Sequence, residues 1–351
     1  MDSTPATPRF SKEAGIVQRV RLQLRNLPNP PRHVLVACSA GKDSVALTWV
    51  LAELRRVGLI DLTIAHVHHG QHDAADDAME AVREIGIRLG VPVLIQHLQH
   101  NRISGHTGVG IEEALRRERY LALAAMSSEI DADCVALAHH QQDQAETVLL
   151  HLIRGAGLEG LSGMQAWDER LVPWWDDSVE RTTVRLWRPV LNESADSVVQ
   201  TAEQSGLPIV EDPTNADTSF RRNDVRLRLL PLLEEIAPGS TGAIARSAEV
   251  VQRDRRILHD AIDAAYRRCL GDDGIVRDAL MDETPQMQPA VVRKWLMESG
   301  LANNLSQDRV DAVVSLVRRG RGNAKIEPGG GVVVVLRAGL LRIEMSNGSK
   351  G

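Results

Sequence analysis

The chain has 351 residues, 43% of them hydrophobic and 25% charged, enough for a full core and for two domains at the usual ~100–200 residues each. A formal net charge of −6 excludes a chain that coats nucleic acid through bulk positive charge, so such contacts must come from local basic clusters. Three cysteines, Cys38, Cys134 and Cys269, lie far apart with no CxxC pair, which excludes a disulfide scaffold and an obvious zinc or iron–sulfur site.

The opening residues, MDSTPATPRFSKEAGIVQ, hold no apolar segment of signal-peptide length, and no window reaches the ~18 apolar residues of a membrane span. The expectation is a soluble, cytoplasmic protein with reduced thiols and no membrane partner. After an amphipathic lead-in, HVLVAC (33–38) is a short Val-rich strand, followed by a helical pattern from Ser44 to about Val57. DLTIAHV (61–67), PVLIQHL (92–98) and CVALAH (134–139) are further strands, separated by helices over 74–89 and 111–128, and a helix over 143–153 closes the series. Apolar strands alternating with helices predict an α/β fold with a parallel sheet covered on both faces, its ligands beyond the carboxyl ends of the strands.

Residues 155–163 form a glycine-rich loop, and 174–191 an irregular hairpin or flap containing Trp174 and Trp175. A helix near 194–205 precedes EDPTNADTSF (211–220), whose Pro, Asn and Asp favour turns. From Arg221 to about Arg319 the pattern is mainly helical, and NAKIEPGGGVVVVLRAGLLRI ends the chain with two or three strands around a Gly-Gly-Gly turn. The expected division is a first domain over 1–220 and a second over 221–351.

The first strand runs into Ser39, Ala40, Gly41, Lys42, Asp43 and Ser44. Small residues between strand and helix let backbone N–H groups converge on phosphate oxygens at the positive end of a helix. Lys42 stands out because only five of the 41 basic residues are lysine. The GxxxxGK[ST] pattern of motor NTPases is missing. Asp43 at the mouth would repel phosphate unless Mg²⁺ lies between them, which suits cleavage of ATP to AMP and pyrophosphate. An ordinary βα turn is the plain alternative.

SAGKDS resembles the SGGxDS loop of the N-type ATP pyrophosphatases, with Ala40 in place of a glycine. If that position needs positive φ, alanine costs about 1 kcal/mol. LAHHQQDQAETVLLHLIRGAGLEGLSGM (137–164), RxxRY at Arg116–Tyr120, RPVL (188–191) and EDPTNADTSFRRNDVRLRLLPLL (211–233) are similar to motifs of the tRNA(Ile)-lysidine synthetases. The resemblance covers roughly residues 30–235, in order.

It implies a Rossmann-like ATP pyrophosphatase domain and a tRNA-binding C-terminal domain. It implies ATP and Mg²⁺ as cofactors, with free lysine and a CAU-anticodon tRNA(Ile) as partners. The activity would be a C–N bond-forming ligase that writes lysidine into the anticodon. By this resemblance Ser39–Ser44 meet ATP, Asp43 and Asp143 meet the metal, and Asp43, His139, Asp143 and Glu146 are catalytic; His66, at the end of the second strand, is expected by the logic of the fold to lie close to the adenosine of ATP.

Asp143 and Glu146 share a helical face, although acids in a first turn also serve simply as caps. Arg116, Arg119, Arg221, Arg222 and Arg226 would bind phosphate or tRNA; a solvated charged face is the plain alternative for the first pair. The family usually carries two adjacent acids where this chain has Gln142 and Asp143, so a cation would be held more weakly. Three histidines, His66, His68 and His69, invite a zinc reading, but the sequence supplies no nearby acid or Cys to complete it. Thiolation of tRNA needs paired cysteines that are missing, and a non-catalytic RNA-binding relative is the other alternative. The sequence leaves open whether the protein is a homodimer.

Overall fold

The computed structural model describes residues 15–70, 73–98, 103–176, 180–211, 221–301, 306–319, 324–329 and 332–345. The expected turn over 212–220, Arg321, and Gly330 and Gly331 of the glycine turn lie outside them. The chain divides into two compact units, Met1–Gln252 and Arg253–Gly351. Residues 221–252, grouped with the second domain by the sequence reading, fall in the first unit.

In the first unit strands β1 (His33–Ala37), β2 (Asp61–His68), β3 (Val93–His97), β4 (Cys134–Ala136), β5 (Trp167–Val172) and β6 (Thr182–Trp187) form one sheet in the order β3-β2-β1-β4-β6-β5. All pairings are parallel except β5 with β6. The expected flap is therefore partly sheet: β6 joins β4, and β5 returns beside it as the edge. Its alternation of Thr, Val, Arg, Leu and Trp is a one-sided strand pattern, easily taken for an irregular hairpin.

Both faces of the central strands are buried, in strict alternation. Val34, Val36, Cys134 and Ala136 enter the core under helices α1 (Gly15–Arg25) and α2 (Lys42–Arg56), while Leu35 and Val135 enter the opposite core with Tyr120 and Leu123. Helices α3 (Asp73–Leu89), α4 (Ile111–Glu129) and α5 (Gln141–Ile153) complete the βα alternation. Short α6 (Leu158–Leu161) and α7 (Ala195–Ser205) follow. Gly163 is required where it stands: at φ +60 it leaves room for the Gln144 amide, which bonds both the N–H and the carbonyl of Met164.

A continuous helical stretch, α8, covers 221–236 and contains a wide π turn at Val225–Leu229 just before Pro231. Proline has no N–H to give the preceding turn, and the wide turn absorbs that loss. Helix α9 (Ser240–Cys269) runs through the division between the units.

The second unit is helical with a terminal sheet, as expected, but the sheet is larger. A short hairpin, β7 (Leu270–Gly271) and β8 (Gly274–Val276), adds to β9 (Ala324–Gly329), β10 (Val332–Arg337) and β11 (Leu340–Met345) in the order β7-β8-β11-β10-β9. Cys269, Ile275, Trp295, Val313 and Leu336 lie in its core.

Ala40 has φ +63 and is fully buried, its carbonyl accepting from the Val210 N–H at 3.0 Å. The loop thus keeps the left-handed turn that glycine would adopt freely, at a cost of about 1 kcal/mol. Ala40→Gly relieves that strain and loses a buried methyl worth ~0.8 kcal/mol, so the thermal midpoint should move by only a few degrees. Ala40→Val adds a β-branched side chain at positive φ and should lower it far more; equal midpoints would contradict this geometry.

Candidate active site

The sheet order reverses between β1 and β4, and the loops after both strands meet at that crevice. From β1 come Ser39 to Ser44. The Ser44 hydroxyl donates to the Gly41 carbonyl at 2.9 Å and accepts the Ser39 N–H at 3.1 Å, closing the loop on itself. Helix α2 starts at Lys42, so its first free N–H groups point out of this loop, and the Lys42 and Ser39 side chains are exposed. His66 lies beneath, not on an open surface. It is buried and its Nδ1–H donates to the Cys38 carbonyl at 2.9 Å, bracing the loop.

From β4 come His139 and His140. His140 caps α5: its Nδ1 accepts from the Gln142 N–H at 3.2 Å, and its own N–H donates to Asp143 Oδ2 at 3.0 Å. Asp143 therefore does fill the ordinary capping role. The Nε2 of His140 lies 3.6 Å from Asp43 Oδ2 and 3.6 Å from Asp143 Oδ2, so one imidazole spans the two loops. Burial opposes a charge on this ring, but Asp43, Asp143 and Glu146 outweigh it and raise its pKa. A second ring proton displaces the Gln142 bond, which links titration to capping. His140 is the bridging residue that sequence reasoning passed over in favour of His139; the doubled histidine was the available signal.

His139 behaves oppositely. Burial, aided by Arg188, Arg222 and Arg119, holds its pKa well below the ordinary value against the pull of Asp143, and its buried Nδ1 has no hydrogen-bond partner. It is a neutral acceptor at the crevice. Arg188, the arginine of RPVL (188–191), also faces this crevice through His139. It is 2% exposed, donates to the Gln165 carbonyl at 2.7 Å, and keeps a buried Nε without a partner.

Glu146 differs most from expectation. Its carboxylate is fully buried, and Arg222 Nε and Arg226 Nε each donate to it at 2.7 Å. Arg222 also reaches Asp143 Oδ1 at 3.2 Å. Four residues apart on α8, these arginines share a face directed at α5, so in this structure they clamp acids and do not stand open to tRNA phosphate. Arg221 is exposed. Arg116 and Arg119 are half-buried on α4, and among the described residues no carboxylate pairs with either.

The Mg²⁺ expectation fits Asp43, whose Oδ1 is buried without a hydrogen-bond partner. It fits Asp143 poorly, because that carboxylate is committed to the His140 N–H and Arg222. His66 and His68 do lie side by side, ring centroids 6.4 Å apart, and Asp76 meets His68 at 3.0 Å. No group of three or more His, Cys, Asp or Glu among the described residues is arranged to hold a metal.

A phosphate-type loop at the switch point of a mainly parallel sheet, faced by acids, defines an ATP-binding α/β protein. Residues 15–233 match the PP-loop domain family. The chain is 35% identical over 258 residues to the tRNA(Ile)-lysidine synthase of Bordetella parapertussis, covering 72% of this chain and 70% of that one. It is 32% identical over 295 residues to that of Geobacter sulfurreducens, covering 82% and 60%. With the Ralstonia nicotianae protein of the same name the identity is 33% over 319 residues, covering 85% and 65%. The chain thus belongs to the PP-loop family and, within it, to the tRNA(Ile)-lysidine synthases.

It spans about 60–70% of the length of these relatives. Among solved structures, a U34-tRNA thiolase from Methanococcus maripaludis with its [4Fe-4S] cluster shares the fold at TM-score 0.54 and 21% identity, over 70% of this chain and 82% of that one. No helix among the described residues is long and apolar enough to cross a membrane.

Two outcomes check this geometry. Glu146→Ala removes the buried partner of two guanidinium groups and should destabilise the protein by about 3 kcal/mol in urea unfolding, whereas Asp43→Asn should cost little. In an imidazole NMR titration of the ligand-free protein, His140 should protonate above the ordinary ~6.5 and His139 below it. Because His140 is raised on folding, its stabilisation is complete below that value and fades as pH climbs through the folded-state pKa. The reverse order of titration would refute the assignment.

Proposed function

We propose that this protein ligates lysine to the cytidine at the first anticodon position of a CAU-reading tRNA(Ile), giving lysidine. In the first half-reaction the C2 carbonyl oxygen of the cytidine attacks the α-phosphorus of ATP, and pyrophosphate leaves. In the second, an amino group of lysine attacks C2; the C–O bond to AMP breaks and the amine loses a proton. The observation that carries this reading is the meeting of Asp43, His140 and Asp143 across the crevice, directly beside an anion-binding loop.

The loop N–H groups and Lys42 hold the phosphates. Mg²⁺, when bound at Asp43, supplies charge neutralisation for the departing pyrophosphate. Neutral His139 is suited to accept a hydrogen bond or a proton in the crevice. Asp143 takes the ammonium of lysine in place of the Arg222 guanidinium, and Glu146 with Arg226 holds α5 in register beneath it. Arg116, Arg119 and Arg221 meet RNA or ATP phosphates. The tRNA-binding part is the region beyond about residue 220, of which 221–252 belongs to the first compact unit and 253–351 is the second.

The shared fold with a thiolase raises a sulfur-transfer reading. The cysteines disfavour it: all three are buried, and burial pushes the Cys134 thiol up to about 12 and the Cys269 thiol to about 11. Thiols so held are poor nucleophiles at neutral pH.

Incubation with ATP, labelled lysine and a CAU-anticodon transcript should place label in the RNA and release AMP. Asp43→Asn should lower the rate at least a hundredfold with the fold intact. ATP binding without lysine incorporation would leave a binding protein only.

A further inference from the structure

Beside the crevice, on the α4 side of the sheet, lies a group of rings and guanidinium ions that the proposed chemistry does not use. The chain is poor in aromatics, with six Trp, two Tyr and two Phe, yet Tyr120, Trp174 and Trp175 gather here. Trp174 meets Trp175 edge-on at 4.5 Å and Tyr120 at 5.3 Å. His106 approaches Trp175 at 5.6 Å. Arg117 lies over Trp175 at 5.1 Å, Arg170 over Trp174 at 5.0 Å and over Tyr120 at 5.3 Å, and Arg116 over Tyr120 at 5.2 Å.

Tyr120 is 2% exposed and completes the hydrophobic core, but both tryptophans keep part of their surface open. Trp174 packs partly against the core that holds Tyr120, whereas Trp175 beside it is half-buried and is not one of the residues packed on that core, so core packing alone does not account for Trp175. The cluster adjoins the site: Arg119 and Arg188 act electrostatically on Tyr120 and on His139 alike. It is also locally basic, Arg116, Arg117, Arg119, Arg170 and Arg188 against Glu113, Glu118, Asp168 and Asp176, in a chain of net charge −6.

Open rings amid arginines are how proteins hold unpaired nucleotides. Each base offers a π face to an aromatic ring, and the guanidinium ions take the phosphates and reinforce the stack. Resting on the tRNA reading above, we infer that Trp175, flanked by Trp174 and Arg117, is a stacking platform for an unpaired anticodon-loop base next to the target cytidine. A duplex cannot use it, because its bases are stacked on each other. The platform therefore selects a single-stranded loop, independently of the residues that read the cytidine.

The test is steady-state kinetics of lysine incorporation at several salt concentrations, with Trp175→Ala, Trp175→Phe and Arg117→Gln in the full chain. A stacking ring predicts about a tenfold rise in KM for tRNA in Trp175→Ala, unchanged KM for ATP and lysine, and near-normal behaviour in Trp175→Phe. It also predicts an unchanged salt slope for both Trp175 variants, with a shallower slope only for Arg117→Gln. In parallel, 2-aminopurine beside the target cytidine in an anticodon stem-loop should be quenched by the wild-type protein and not by Trp175→Ala.

Wild-type KM for tRNA in Trp175→Ala, or losses for ATP equal to those for tRNA, would overturn the platform. Absence of lysine incorporation in the wild-type protein, with quenching retained, would sink the ligase reading and leave the platform standing.

Discussion

The arrangement depends on how a buried carboxylate is kept charged. Glu146 has no access to water, and taking an isolated carboxylate out of water costs several kcal/mol. Arg222 and Arg226 offset that cost from 76 and 80 residues further along the chain, each through a 2.7 Å bond. Helix α8 must therefore lie against α5, and the apolar contacts of Ala145 with Val225 and Leu230 add to the same interface. One turn before Glu146, Asp143 shares Arg222 and caps the helix, so the same ion-pair cluster also fixes the position of the acid at the crevice.

That constraint explains why two adjacent histidines differ. His140 lies between Asp43 and Asp143, where its protonated form is favoured. His139 lies among Arg119, Arg188 and Arg222, where it is held neutral. Neighbouring residues at a strand end face different surroundings, and here one meets the acids and the other the arginines. The crevice is thereby divided into an acid side suited to an ammonium or a metal and a basic side suited to phosphate. The ligation proposed above, which joins a nucleotide, a polynucleotide and an amine, would draw on both.

Much of this was legible in the residues. The alternation of Val34, Leu35 and Val36 marked a strand buried on both faces, and SAGKDS marked the loop beyond it. The doubtful point in that loop was Ala40, and its positive φ shows that the turn survives the loss of glycine. The β6 strand was less visible because β5 and β6 form a partly exposed edge with a one-sided pattern. The Glu146 clamp was not visible at all: spacing put Asp143 and Glu146 on one face and Arg222 and Arg226 on another, but only the packing of α8 on α5 brings them together. The same limit applied to His66, which reads as a ligand in sequence and serves as a brace under the loop.

The central claim is that this crevice transfers AMP to RNA before any amine takes part. Exchange of labelled pyrophosphate into ATP, measured with a CAU-anticodon transcript and without lysine, tests it most directly. The account predicts exchange that requires the RNA and proceeds without lysine. Formation of ADP and phosphate, or exchange that persists when the RNA is withheld, would contradict it.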